Sequence, residues 1–159
     1  MKQALAINPA KTFNIYTCNT SFAGYISWST YPFLHPENSP AHGIVMNYNT
    51  LPGGSGKPYN LGDVAVHETG HYLGLLHTFE HGCQMPGDGV EDTAYERAPN
   101  YGCNQTADSC EGFVGKNSGK DPIFNYMDFT TDACMREFSR GQIERMQAIV
   151  SLFKPTLIQ

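Results

Sequence analysis

The chain has 159 residues, a length typical of one domain with its own hydrophobic core. Its formal net charge is −5 and its Lys and Arg residues are scattered, which argues against a surface that binds nucleic acid or an anionic membrane. Hydrophobic residues make up 40% of the chain, as in soluble globular proteins, and no apolar run approaches the ~18–20 residues of a membrane span. We therefore expect a monomeric domain without a nucleic-acid partner.

The first half of the chain predicts strands followed by one helix. Runs rich in β-branched and aromatic residues predict three strands, at 12–18, 24–33 and 43–50. A Gly-rich loop follows, and Asn60 is the predicted N-cap of a helix that runs to about Leu73.

The second half is irregular until its last element. From about Glu80 to Pro122 the chain is rich in Gly, Asp, Asn and Cys, and a segment of this kind needs disulfides or a bound ion to hold it. Ser139 and Gln142 then have the spacing of a capping box at the start of a helix over 139–153.

The cysteines and the first residues bear on the cellular compartment. The opening MKQALAINPAKTF lacks the apolar core and the cleavage site of a secretion signal, so the chain is either cytosolic or the trimmed form of a secreted precursor. The second reading is favoured by four loop cysteines that are typical of disulfides, Cys83, Cys103, Cys110 and Cys134. Cys18 is expected to be a buried free thiol.

The stretch VAVHETGHYLGLLHTF has the spacing of a metal site. On a helix, His67 and His71 project from the same face one turn apart and can reach one Zn²⁺ at about 2.0–2.1 Å. Glu68 points about 100° away, where the general base for a metal-bound water belongs. Gly74 is placed to end the helix in a left-handed conformation, after which His77 supplies a third ligand. Three protein ligands leave one position open for water, as in catalytic zinc sites.

The other histidines lie outside this pattern. We do not expect the metal to be bound by His35, His42 or His81.

The sequence HETGHYLGLLH resembles the extended zinc-binding motif of the metzincin metallopeptidases. Such enzymes also carry a methionine in a tight turn beneath the metal, and FNYMDF offers Met127 for that position. Further stretches, HTFEHGC, GDGVEDTAYE, NYMDFTTDACM and FSRGQIERM, are similar to those of the pappalysin family. The resemblance extends from about Leu5 to Met146.

The resemblance implies the fold class α+β, with a metzincin-like (zincin) catalytic domain. A twisted mixed sheet with the active-site helix would form an upper subdomain over about residues 1–76. An irregular, disulfide-stapled lower subdomain over about residues 77–159 would end in a helix, with the substrate cleft between the two. The strand GIVMNY would form the rim of the cleft and pair with an extended polypeptide. The implied disulfides are Cys83–Cys110 and Cys103–Cys134.

A calcium ion is also implied, in the stretch GDGVEDT. Its ligands would be the carboxylates of Asp88 and Asp92 and the backbone oxygens near Val90 and Thr93, which are hard ligands of the kind Ca²⁺ prefers. An acidic, solvated turn is the alternative.

Two residues differ from the family pattern. Phe129 stands where relatives tend to have a tyrosine whose hydroxyl could support an oxyanion. Ala133 stands where relatives that cut before Arg or Lys carry an acid. A preference for Arg or Lys at the first primed position of the substrate is therefore not predicted.

The predicted function is that of a secreted zinc-dependent metalloendopeptidase acting on extended polypeptides. Zinc would lower the pKa of a bound water, and Glu68 would take its proton and pass it to the leaving amine. Two alternatives stay open, a zinc amidase acting on non-protein substrates and a non-catalytic binding module with a zinc fold. The intact Glu68 argues against the module, and the rim strand favours a polypeptide substrate.

Overall fold

The computed structural model describes residues 1–115 and 117–158, which divide into two compact units. The first unit comprises the residues up to Gly74 together with those from Met146 onward, and the second comprises Leu75–Arg145. The helices are α1 (Lys2–Leu5), α2 (Asp63–Tyr72) and α3 (Arg140–Phe153). The strands are β1 (Ile15–Cys18), β2 (Ser27–Ser29) and β3 (Ile44–Asn47). Each strand is shorter than the sequence predicts. Among the described residues, no helix has both the length and the apolar character needed to cross a membrane.

The sheet of the first unit is mixed, with strand order β1-β3-β2. β3 pairs in parallel with β1, with Ile44 opposite Ile15, and antiparallel with β2, with Val45 opposite Trp28. All four residues of β3 are buried, as expected of a central strand. The prediction that GIVMNY forms the substrate rim is therefore wrong, because the backbone groups of β3 are paired on both sides.

Helix α2 packs on this sheet. Its Val64 and Tyr72 form the core cluster with Ile44 and Met46 of β3. Because apolar side chains on one face of α2 cover the sheet, the helix is held at a fixed position above β2 and β3.

The two ends of α2 differ in how well the sequence predicts them. The N-cap is Gly62 and not Asn60, whose side-chain amide donates instead to the carbonyl of Gly54 at 2.6 Å. At the other end Gly74 has φ +99°, which confirms the predicted left-handed turn. A Cβ atom at Gly74 would lie 2.6 Å from Cγ2 of Ile149, so the turn has no space for a side chain.

The last residues of the chain also belong to the first unit. The ammonium of Lys154 is fully buried and donates to the carbonyls of Pro9 and Glu37 at 2.8 and 2.7 Å. The ring of Phe153 contacts that of Phe33, with centroids 6.0 Å apart. The residues from Met146 onward thus lie in the first unit, whereas the subdomain boundary drawn from the sequence assigns all of α3 to the lower one.

The second unit is irregular within its described residues up to the start of α3. Disulfides join Cys83 to Cys110 and Cys103 to Cys134, the pairing that the family resemblance implies. Cys18, in the first unit, is a half-buried free thiol.

The start of α3 confirms the capping box. The backbone N–H of Gln142 donates to Oγ of Ser139 at 3.1 Å, and the N–H of Ser139 donates to Oε1 of Gln142 at 2.9 Å. The apolar side chains of α3 are only partly buried, because Val150 lies in the core while Ile143 is 45% exposed.

Candidate active site

Helix α2 places two histidines side by side in the first unit. His67 and His71 are both buried, and their ring centroids lie 4.7 Å apart with the planes nearly perpendicular. Their spacing of one helical turn brings both imidazoles to the same face of α2.

His77 follows the turn at Gly74. Its ring stacks on that of Phe79 at 4.6 Å and meets the edge of Phe129 at 4.9 Å, so aromatic neighbours fix its orientation. One ligand nitrogen each from His67, His71 and His77 lies within 4.8 Å of the other two. Within 1–115 and 117–158 no other set of three or more His, Cys, Asp or Glu residues meets this criterion. Three imidazoles are a donor set that suits a catalytic Zn²⁺, so the residues present fit the predicted ion.

Glu68 lies next to these ligands and is 4% exposed. The hydroxyl of Ser27, on β2, donates to its Oε1 at 2.6 Å. Oε2 is buried and has no hydrogen-bond partner among the described residues. Burial raises the pKa of Glu68 to about 7, while the hydrogen bond from Ser27 and the charge of Lys2 lower it. One carboxylate oxygen is therefore fixed by Ser27, and the hydrogen-bonding capacity of the other is unused among the described residues.

The ammonium of Lys2 is half-buried and joins three parts of the first unit. It donates to Oγ1 of Thr30 at 2.9 Å and to the carbonyls of Ala41 and Gly43 at 2.9 and 2.7 Å. These bonds hold the residue after β2 against the residue that precedes β3. Lys2 thereby fixes the strand that carries Ser27.

Tyr31 is a second neighbour of the site that the sequence does not reveal. Its hydroxyl lies 3.2 Å from Nδ1 of His71. Ser27 and Tyr31 precede their partners by 41 and 40 residues, and neither belongs to a spaced motif. The antiparallel pairing of β2 with β3 brings Ser27 to α2, and Tyr31 follows two residues after the end of β2. The signal available in the sequence was a strand with polar residues at alternate positions, Ser27 and Ser29.

Met127 lies in a turn, as the resemblance implies, and is completely buried. The turn is closed by the N–H of Asp128, which donates to the carbonyl of Asn125 at 3.2 Å. The carbonyl of Met127 accepts from the N–H of Thr78, the residue after His77, at 3.2 Å. The backbone beside His77 is thus bonded directly to the methionine turn.

A network of buried acids adjoins this turn, and sequence reasoning missed it. Glu96 is fully buried and accepts from Oγ1 of Thr78 at 2.7 Å and from the side-chain amide of Asn100. The same amide donates to Asp121, and the N–H of Asn100 donates to Asp128 at 3.0 Å. Burial, and then the repulsion between them, raises the pKa of Glu96, and burial raises that of Asp128. No sequence pattern predicts this network, because these acids are scattered along an aperiodic segment.

The predicted calcium ligands do not all lie together, since Asp92 has different contacts from the other three. Oγ1 of Thr93 lies 2.8 Å from both carboxylate oxygens of Asp88 and 3.0 Å from the carbonyl of Val90. Asp92 instead accepts from Oγ of Ser139 at 2.7 Å and from the N–H of Gly141 at 2.9 Å, at the N-terminus of α3. Burial raises the pKa of Asp88 to about 6, against hydrogen bonds that lower it.

Two of the remaining histidines have backbone partners outside the metal site. Nδ1 of His81 lies 3.0 Å from the carbonyl of Gly87, and Nε2 of His42 lies 3.0 Å from the carbonyl of Pro36.

The profile of the peptidase family M43, described as pregnancy-associated plasma protein-A, matches residues 3–151. The chain belongs to this family, the pappalysins. The resemblance that the sequence suggests is thereby confirmed. Membership implies zinc, and the group of His67, His71 and His77 fits it.

Pappalysin relatives are similar to nearly the whole of this chain. Extracellular metalloprotease 1 of Coccidioides posadasii is 39% identical over 157 residues, which are 97% of this chain and 55% of that protein. The extracellular metalloprotease of Arthroderma benhamiae is 38% identical over 159 residues, 97% of this chain and 52% of that protein. The chain therefore spans about half the length of the curated relatives it matches.

A solved pappalysin-like structure confirms the fold. Mature mirolysin of Tannerella forsythia, in complex with a cleaved peptide, superposes with a TM-score of 0.81 at 31% identity, covering 94% of this chain and 57% of that one. The α+β metzincin fold expected from the sequence is thus confirmed.

Proposed function

We propose that this chain is the catalytic domain of a secreted, zinc-dependent metalloendopeptidase that hydrolyses internal bonds of extended polypeptides. The observation that carries the proposal is the buried Glu68 beside three clustered histidines, with one carboxylate oxygen fixed by Ser27. A purely structural metal site has no use for a buried carboxylate at this position.

Each side chain has a distinct role in the proposed reaction. His67, His71 and His77 would hold the zinc, which when bound polarises the scissile carbonyl and lowers the pKa of a water. Ser27 holds Oε1 of Glu68, so Oε2 faces the reactants. Glu68 then takes a proton from the attacking water and delivers it to the leaving nitrogen. Phe129 adds no hydroxyl to stabilise the oxyanion.

Edge strand β2 is the proposed docking strand for the substrate backbone. Among the described residues β2 pairs with β3 alone, so its other backbone edge has no strand partner and could pair with a peptide. It also carries Ser27, so a peptide paired with β2 would run past Glu68. Mirolysin, a structural neighbour, is described with a cleaved peptide. Substrate peptides N-methylated at single positions test the proposal, since methylation at a pairing position should raise KM; unchanged KM at every position would refute it.

Zinc-dependent proteolysis distinguishes the enzyme from a binding module. We expect the protein to hydrolyse casein, to lose this activity with a zinc chelator, and to regain it when zinc is restored. No cleavage by the zinc-loaded protein would favour the module, and cleavage that persists without zinc would contradict the metal assignment.

We also propose a calcium site in the second unit, at Asp88, Val90 and Thr93. Its support is the convergence of two carboxylate oxygens and a carbonyl oxygen within 3.0 Å of the hydroxyl of Thr93, all of them hard oxygen ligands. Asp92, predicted as a ligand from the sequence, lies outside the proposed site because its carboxylate accepts from Ser139 and Gly141 at the start of α3. Titration calorimetry with Ca²⁺ should show one site in the wild type and none in Asp88→Asn. An equal heat in both proteins would refute it.

Secretion is supported by the names of the relatives, which are extracellular metalloproteases, and by the two disulfides. Thiol titration of the denatured protein should find only Cys18 free. Five free thiols in material isolated from its native source would contradict secretion.

A further inference from the structure

Tyr31 touches one of the three clustered histidines directly. Its hydroxyl oxygen lies 3.2 Å from Nδ1 of His71, and its ring meets the edge of the imidazole with centroids 5.3 Å apart. Both residues lie in the first unit, and neither the family motif nor the proposed reaction gives Tyr31 a role.

The backbone of Tyr31 is fixed from both sides. Oγ1 of the preceding Thr30 donates to the carbonyl of Ala41 at 2.8 Å and accepts from Lys2 at 2.9 Å. The following Pro32 is buried and restricts Tyr31 to extended conformations, in agreement with its φ of −58° and ψ of 143°. Little backbone freedom remains to be lost when the hydroxyl meets His71.

The ring of Tyr31 is also held in place. It stacks on Phe33 with centroids 5.2 Å apart and planes at 14°, and Phe33 in turn meets Phe153 edge-on. A phenol placed this way presents its hydroxyl in a fixed direction, without the entropy loss of a flexible side chain.

The position of this hydroxyl selects one nitrogen of His71 for the metal. The two nitrogens of an imidazole point in different directions, so the nitrogen that bonds Tyr31 does not bind the ion. When Nε2 is the ligand, neutral His71 carries its proton on Nδ1 and donates it to the phenol oxygen. Such a bond fixes the tautomer and the ring orientation, and losing it typically weakens metal binding about 10- to 100-fold.

We propose that Tyr31 is a positioning residue for the metal site, which holds His71 in the tautomer and orientation that bind zinc through Nε2. The inference rests on the proposed zinc site and adds to it the residue that prepares one ligand before the metal arrives. Tyr31 acts through His71 and touches neither substrate nor metal.

Tyr31→Phe removes the hydroxyl and keeps the ring that stacks on Phe33. We expect the zinc dissociation constant, measured by competition with a chromophoric chelator in the absence of substrate, to rise at least about tenfold. The melting temperature should fall less for the zinc-free protein than for the zinc-loaded protein, so the increase that zinc produces should shrink. A merely structural hydroxyl would instead lower the melting temperature with and without zinc equally.

Tyr16→Phe is the matched control, because it removes a buried hydroxyl that has no hydrogen-bond partner among the described residues. It should bind zinc as the wild type does. Phe33→Leu keeps the hydroxyl but removes the stack, and should weaken zinc binding less than Tyr31→Phe. It provides a second test should Tyr31→Phe fold poorly.

The possible results distinguish the role of Tyr31 from the proposed zinc site on which it rests. A wild-type protein that binds no zinc would overturn both the metal site and the role of Tyr31. Wild-type affinity in Tyr31→Phe, or an equal loss in Tyr16→Phe, would overturn the role of Tyr31 alone and leave the zinc site standing.

Discussion

Glu68 is a carboxyl group that the fold buries and then holds by one oxygen. The sequence predicts the position of Glu68 on α2 beside His67, because helical geometry alone fixes where each residue of the motif lies. The donor that fixes it, Ser27, lies 41 residues away and depends on strand pairing. Local periodicity therefore predicts the metal ligands and the general base. The residues that hold them in position come from long-range contacts that no local pattern encodes.

Ser27→Ala tests the support of the proposed general base. Losing a hydrogen bond to a charged group costs about 1.5–3 kcal/mol, so we expect kcat to fall roughly ten- to hundredfold. KM and zinc content should not change, since the side chain of Ser27 positions Glu68 and the substitution leaves the backbone of β2 in place. Ser29→Ala is the control on the same strand, because Oγ of Ser29 is buried without a hydrogen-bond partner among the described residues. Equal kcat in the two variants would argue against the positioning role.

Strand β3 and helix α2 show what sequence patterns settle at the scale of an element. The run IVMN lacks the alternation of an edge strand, and its pairing with both β1 and β2 leaves no edge free for a substrate. Asn60 was a plausible cap by residue type, yet its amide binds Gly54 and the helix begins three residues later. The glycine at the other end was predictable, because a left-handed residue is almost always glycine.

Gly74→Ala tests the turn between His71 and His77. A left-handed alanine costs about 1–2 kcal/mol, and crowding against Ile149 adds about 1–3 kcal/mol. Gly24→Ala is the matched control, since Gly24 has φ +72° and open space around its Cα. We expect urea unfolding to show a larger loss of stability for Gly74→Ala than for Gly24→Ala. An equal loss would mean that contact with Ile149 does not constrain the turn.

At the scale of the whole molecule, the described residues include several buried acids whose positions composition could not predict. Net charge and chain length predicted a single acidic domain, and the family resemblance implied how the cysteines of its irregular half are paired. The buried positions of Glu96 and Asp128 emerge only after the second unit folds around the methionine turn. Because those acids share a site also faced by Asp121, their charge bears on the stability of the whole protein.

Stability should therefore decline as the pH rises toward neutrality. The folded-state pKa of Glu96 and of Asp128 is raised, so the folded protein retains protons that the unfolded chain has released. This stabilisation is complete below the ordinary carboxyl pKa and is lost as the pH rises through the raised one. Between about pH 5 and 8, the unfolding free energy of the wild type should fall by roughly 2 kcal/mol more than that of Glu96→Gln. Glu144→Gln, an exposed control, should follow the wild type.

The central claim is that Glu68 performs the proton transfers at a zinc site formed by three histidines. Zinc content and peptide hydrolysis measured on the same preparations of wild type and Glu68→Ala test it most directly. The account predicts one zinc per chain in both proteins and a loss of nearly all turnover in the variant. A Glu68→Ala protein that holds its zinc and still cleaves peptides at the wild-type rate would contradict it.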